Sequence, residues 1–499
     1  MDFLNLLLCF LFSWTLVQAL LSIERGSRTS AGRLPPGPTP LPIIGNLLKL
    51  GNKPHKSLAE LAKTHGPIMT LRLGQITTVV ISSSTMAREI LQKQDLSFSN
   101  RFIPDALLAH NHGLFSVVWI PVSTRWRNLR KILSSHLFSG QRLDAKQQLR
   151  SQKVKELMAY IHKSCQAGAA VDIGRAAFRT TLNLISNTIF SEDLTDTSSD
   201  TAQEFKELVW GIMEEAGKPN LVDYFPVLRK FDPLGIRCRL TIHFEKMIGI
   251  FNHMINQRLE LRRLQGCITR NDVLDTLLNI SESNPNEIDQ VHIDHMLVDL
   301  FAAGTDTTSS TLEWAMAEIL HNPKTLLKAK AELDQILGKG SPVEESDIAR
   351  LPYLQAIVKE TFRLHPAVPF LIPRKVDANV EVCGYTVPKD AQVLVNAWAI
   401  GRDPSIWTNP NSFMRERFLG TEIDVRGHDF ELIPFGGGRR ICPGIPLAIR
   451  MVHLMMGTLI NSFDWKLEDG IAPEDMNMEE KFGITLQKAQ PLRAVPVHV

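Results

Sequence analysis

The chain has 499 residues, 44% hydrophobic and 22% charged, with 55 basic and 53 acidic side chains and a formal net charge of +2. That composition supports a large core and excludes a disordered chain. The balanced charge excludes the global basic field of a nucleic-acid binder, so nucleic acid is not an expected partner.

Residues 3–23 are mostly apolar and carry no charge. As a helix rising about 1.5 Å per residue they match the roughly 30 Å hydrocarbon layer of a membrane. Arg25, Arg28 and Arg33 follow, and only Asp2 precedes. The positive-inside rule then leaves the N-terminus lumenal and the body cytoplasmic. A cleaved signal peptide is the alternative, but there is no basic leading region and no A-x-A cleavage site. The six cysteines include no C-x-x-C pair and are too sparse for a disulfide framework. They read as reduced thiols facing the cytosol.

The expected organisation is a membrane anchor over 1–23, a basic, proline-rich hinge over 24–45, and one large domain over 46–499. Prolines at 35, 36, 38, 40 and 42 make the hinge extended rather than helical, a stiff spacer or an ordinary linker. Helical periodicity marks 82–94, 145–166, 202–216, 238–264 and 288–320. Short β-type runs occur at 68–73, 77–81, 380–387 and 392–396. The fold class is mainly α, with a minor β part divided between early and late sequence.

Trp126 and Arg130, in Trp126-Arg127-Asn128-Leu129-Arg130, are four apart and share a helix face. The plain reading of Trp126 is an aromatic core residue. Within the helix at 288–320, Ala303-Gly304-Thr305-Asp306-Thr307-Thr308 breaks an apolar run. Ala303 and Thr307 lie on one face, and small residues there let the helix pass close to a flat group. A hydroxyl-bonded kink is the structural alternative. Glu360 and Arg363 form an i, i+3 pair with apolar flanks, which points to burial and to a need for further partners.

The densest signal is Pro434-Phe435-Gly436-Gly437-Gly438-Arg439-Arg440-Ile441-Cys442-Pro443-Gly444. Three glycines let the backbone pack against something close and flat. Arg439, Arg440 and the N-terminus of a following apolar helix favour a thiolate at Cys442. A structural cysteine and a cysteine nucleophile are the alternatives. A nucleophile needs a histidine base, and none is nearer in sequence than His428.

Phe435, Gly438, Arg440, Cys442 and Gly444 fill F-x-x-G-x-R-x-C-x-G, which resembles the haem-binding signature of the cytochrome P450 family. The A-G-x-D-T, E-x-x-R and W-R-x-x-R segments resemble that family's other motifs, in its order. The resemblance implies a cytochrome P450-like fold with haem b ligated by Cys442. It implies haem propionates held by Trp126, Arg130, Arg374 and Arg440, and protons relayed to dioxygen by Asp306 and Thr307. Arg417 is implied to complete a structural triad with Glu360 and Arg363; the family usually has proline where this chain has Arg415.

Long stretches at 81–101, 177–196, 371–407, 429–450 and 479–497 are similar to plant microsomal members that hydroxylate monoterpenols such as geraniol at the terminal allylic carbon. Diterpene oxidation is the neighbouring alternative. A reductase-independent peroxide isomerase and a non-catalytic haem sensor are alternatives of other classes, which the complete A-G-x-D-T motif disfavours. The resemblance implies NADPH as electron source through a cytochrome P450 reductase, with Arg127, Lys131 and Arg439 available to an acidic flavoprotein. It places the protein in the endoplasmic reticulum membrane as a single-pass chain. Phe301, Ala302, Val368, Phe370, Leu371, Phe482 and Ile484 are its implied substrate walls.

Overall fold

The computed structural model describes residues 12–15, 33–194, 200–265, 270, 272–338 and 340–498. Of the anchor expected at 1–23, a helical turn at 12–15 falls among them. The rest of the anchor, Arg25 and Arg28 lie outside the described residues.

A 32-residue helix, Gln290–His321, runs through the middle of the molecule. Asp289 caps it, its carboxylate accepting the backbone N–H of His292 at 3.0 Å. Helices Ile173–Phe190, Ile236–Gln265, Pro352–Leu364 and Ile445–Ser462 pack around it. Trp314, Met316 and Ile319 on its C-terminal half are fully buried. Ile445–Ser462 is long and apolar enough to cross a membrane, yet it is a core helix that buries Met451, Leu454 and Met456.

The two β-rich parts of the sequence form one sheet. Its strand order is Ile68–Leu73, Ile76–Ile81, Gln392–Val395, Arg374–Lys375 and Asn100–Arg101. The late strand Gln392–Val395 pairs parallel with Ile76–Ile81 and antiparallel with Arg374–Lys375. The run at 380–387 is a hairpin instead of one strand. Val380–Val382 pairs with Tyr385–Val387 across Cys383 and Gly384, both of positive φ.

The end of the hinge is docked, not free. The backbone N–H of Thr70 donates to Pro36 O at 2.8 Å. A Cβ on Gly37 would stand 1.8 Å from the Thr70 carbonyl oxygen, so only glycine fits against the first strand.

Glu313 on the central helix is 8% exposed and accepts the Leu492 N–H at 2.8 Å. Burial pushes its carboxyl up to about 7 from 4.5. A raised carboxyl binds its proton more tightly in the fold, so its stabilising contribution is complete below 4.5 and is lost as pH rises through about 7. Glu313→Gln keeps the acceptor and removes the titration. The melting temperature of the wild type is expected to fall relative to this variant across that window. Parallel curves for the two proteins would show that Glu313 is ionised throughout.

Candidate active site

The glycine-rich loop delivers Cys442 to the start of Ile445–Ser462. The Cys442 N–H donates to Phe435 O at 3.1 Å, which closes the loop. Gly438 has φ +66, and a Cβ there would meet the Leu91 carbonyl oxygen at 1.8 Å. That glycine is therefore needed for packing on the helical turn Glu89–Lys93, not for approach to a cofactor.

Burial pushes the Cys442 thiol up, opposed by the backbone N–H groups of Gly444 and Ile445 and by the Arg130 charge. The two arginines beside it in sequence act elsewhere. Arg439 is bound to Asp95 through two hydrogen bonds at 2.8 and 3.0 Å. Arg440 turns to the carbonyls of Ser99 and Ile120. A buried sulfur of this kind sheds its proton against a metal ion.

Four guanidiniums converge beside this loop: Arg101, Arg130, Arg374 and Arg440. Their hydrogen bonds go to backbone carbonyls, among them Arg130 to Ile441 O at 2.8 Å, Arg374 to Phe98 O at 2.7 Å and Arg101 to Ile372 O at 2.8 Å. Burial lowers all four, Arg374 to about 10 and Arg440 to about 9. For Arg101 and Arg440 the repulsion of neighbouring guanidiniums adds to it. Such a cluster calls for an anionic group.

Trp126 is the platform under this cluster, with Arg440 4.6 Å and Arg130 5.8 Å from its ring centroid. Its indole N–H, expected to share a propionate with Arg130, is given to Val117 O at 3.2 Å. Arg101 was not among the residues singled out from sequence; an isolated arginine on a two-residue strand carries no motif.

Above the sulfur lies a cavity of about 320 Å³. The central helix presents Asp299, Leu300, Ala303, Gly304, Thr307 and Thr308 to it, a single helical face. Thr307 Oγ1 donates to Ala303 O at 2.7 Å, and Thr305, Thr308 and Thr311 make the same bond to the preceding turn. The helix runs through this segment unbroken, so these hydroxyls do not interrupt it. Asp306 turns away from the cavity. Its Oδ1 accepts the Gln487 side-chain N–H at 3.0 Å, and its Oδ2 has no partner. Burial raises its carboxyl.

Of the expected substrate walls, Val368 and Leu371 line the cavity. The others point elsewhere. Phe301, one residue past Leu300, is rotated by about 100° and packs on Phe251 with centroids 5.2 Å apart. Ala302 falls off the cavity face of the helix for the same reason. Phe370 meets Phe482 edge-on at 5.7 Å, and Phe482 stacks on His55 at 5.5 Å in a separate aromatic cluster. Ile484 lies against Gly217.

Glu360 and Arg363 are fully buried and joined by bonds of 2.7 and 2.8 Å. Arg417 adds a third bond to Glu360 at 3.1 Å. Arg415, the departure from the usual proline, donates to the Tyr353 hydroxyl at 2.6 Å.

The cysteine at a helix start, the cationic cluster and the cavity between them and the central helix fit a haem. The cytochrome P450 family model matches residues 35–493. The chain is 64% identical to the geraniol 8-hydroxylases of Catharanthus roseus and Swertia mussotii, in each case over 99% of both chains. It is 53% identical to the drimenol monooxygenase of Persicaria hydropiper, over 100% of this chain and 98% of that one. With a match of that length and a site of that chemistry, the chain belongs to the cytochrome P450 family.

Proposed function

We propose that this protein is a monooxygenase that hydroxylates a monoterpenol, geraniol at its terminal allylic carbon, using dioxygen and electrons from NADPH. The observation that carries the substrate is the 64% identity, across nearly the whole chain, with two proteins named as geraniol 8-hydroxylases. The cavity agrees with it: its surface is largely apolar, as a terpenoid requires.

Cys442 would hold the haem iron, with Arg101, Arg130, Arg374 and Arg440 around its propionates. Bound haem supplies oxygen activation, and its thiolate ligand favours cleavage of the O–O bond. The chain's own residues do the rest. Val368, Leu371 and Ile185 shape the cavity and exclude water from the substrate. Thr307 presents a hydroxyl to the reacting end, and the next carboxyl along the helix, that of Asp306, is raised by burial, which favours its holding a proton.

A flavoprotein reductase is the electron donor in this reading. Arg127 and Lys131 are exposed on the helix Thr124–Ile132, whose Arg130 bonds the cysteine loop. They offer positive charge on the Cys442 side. Arg439 is a weaker candidate because Asp95 neutralises it. The apolar, uncharged segment at 3–23 supports a single anchor in the endoplasmic reticulum membrane with the body in the cytosol.

The test is product analysis after incubating the membrane-bound holoprotein with geraniol, NADPH and a plant reductase. The terminal allylic diol, formed only with NADPH, is the expected result. A normal thiolate-type carbon monoxide spectrum without product would overturn the substrate assignment and leave the family intact. In the same assay Thr307→Ala is expected to divert a larger share of NADPH into hydrogen peroxide, because a positioned proton-transfer group is lost. Unchanged coupling would remove Thr307 from the proton route.

A further inference from the structure

We propose that Asp299 is the subsite for the substrate's hydroxyl group, and that it fixes which end of the molecule is oxidised. This rests on the monoterpenol reading above and deepens it.

Asp299 is the only carboxylate among the described residues lining the cavity. Its side chain is 7% exposed. Ser116 Oγ lies 2.7 and 2.8 Å from its two oxygens, and His112 Nε2 lies 3.2 Å from Oδ1. The Val118 N–H donates to Ser116 Oγ at 3.1 Å, which leaves the hydroxyl proton free for the carboxylate. His112 Nδ1 faces His295 Nδ1 at 2.9 Å. If His112 gives its Nε2 proton to Asp299, its Nδ1 must accept from His295. Ser116 thus aims a donor at Asp299, and His112 has a ring nitrogen within reach of it.

A hydroxyl donates only one hydrogen bond, so Ser116 serves one carboxylate oxygen at a time. An ionised carboxylate has roughly four acceptor positions, and the Ser116 hydroxyl fills one of them while His112 stands beside another. What remains can accept a proton donor from the cavity. An alcohol O–H is such a donor; an ether or a hydrocarbon is not.

The spacing supplies the regiochemistry. Asp299, Ala303 and Thr307 recur every four residues on the cavity face of one helix. From Asp299 to Thr307 the helix rises about 12 Å, comparable to an extended monoterpenol. A substrate held by its alcohol at Asp299 lays its chain along Ala303 and brings its far, allylic end to Thr307 and Cys442. The alcohol carbon itself stays away from the reacting centre.

The experiment measures substrate-induced difference spectra of the holoenzyme with geraniol, geranyl methyl ether and the corresponding diene hydrocarbon. Wild type is expected to bind geraniol about 10-fold or more tighter than the other two, the scale of a hydrogen bond to a charged acceptor. Asp299→Asn is expected to lose about that factor for geraniol alone. Its products should spread from the terminal carbon to the other allylic positions.

Equal binding of all three ligands by wild type would overturn the proposal. So would an Asp299→Asn variant that weakens all three alike, which is the signature of a residue that only ties Ser116 and His112 to the helix. If Asp299→Asn fails to give a thiolate-type spectrum, the wild-type comparison of alcohol and ether decides alone. If geraniol neither shifts the spectrum nor reacts, the substrate reading fails separately. The alcohol and methyl ether of drimenol then decide the subsite, with equal affinity counting against it.

Discussion

Cys442→Ala is expected to accumulate, if at all, without the thiolate-type carbon monoxide difference spectrum and with no hydroxylase activity. The reason is local. Cys442 is the thiol lining the cavity among the described residues, held by its own N–H on Phe435 and approached by the N–H groups of Gly444 and Ile445. Among the other described cysteines, Cys165 is half-buried and Cys238 and Cys383 are exposed; none lines the cavity. Alanine at any of those three should leave the spectrum unchanged. A Cys442→Ala protein that kept the thiolate signature would remove this residue from the iron.

Arg363→Ala should be nearly as damaging, through the fold. The guanidinium binds both oxygens of Glu360 and the carbonyls of Gly401, Pro410 and Ser412. Glu360 in turn accepts from the Met414 N–H and from Arg417. Removing Arg363 leaves the buried Glu360 with only Arg417 and the Met414 N–H, and takes a donor from three carbonyls. Breaking such a pair costs about 3–5 kcal/mol, a large share of the roughly 5–15 kcal/mol that holds most domains. A sharp fall in melting temperature and in haem content per chain is the expected readout. Arg363→Lys should rescue little, because one ammonium cannot span this forked set of acceptors. A melting curve indistinguishable from wild type would mean that the network is dispensable.

The long elements were legible because their signals are local. The strand at 68–73 is met at both ends as Ile68–Leu73, and the helix expected at 288–320 is Gln290–His321. The β-type run at 380–387 hides a hairpin because its turn rests partly on Cys383, a residue that seldom takes positive φ.

The site divides the same way. Cys442, Thr307, Glu360 and Arg363 sit in contiguous motifs and could be named in advance. Arg101 and Asp299 have no motif; only packing brings one to the arginine cluster and the other to the cavity. Asp299 did leave a trace, lying four and eight residues before Ala303 and Thr307 on the same face. The aromatic walls were misplaced because a one-residue step on a helix, or a neighbouring cluster such as Phe370 with Phe482, is not resolved by a list of apolar residues.

The four converging guanidiniums also bear on how the protein comes to exist in a cell. Like charges crowded into a dry site oppose closure of the chain until their counter-charge arrives. A ligand that binds only the closed form stabilises it in proportion to the logarithm of its free concentration. The prosthetic group is then a folding partner as well as a reagent, and its supply sets how much finished enzyme survives quality control. Cells making this chain faster than they make haem should lose the surplus to proteolysis.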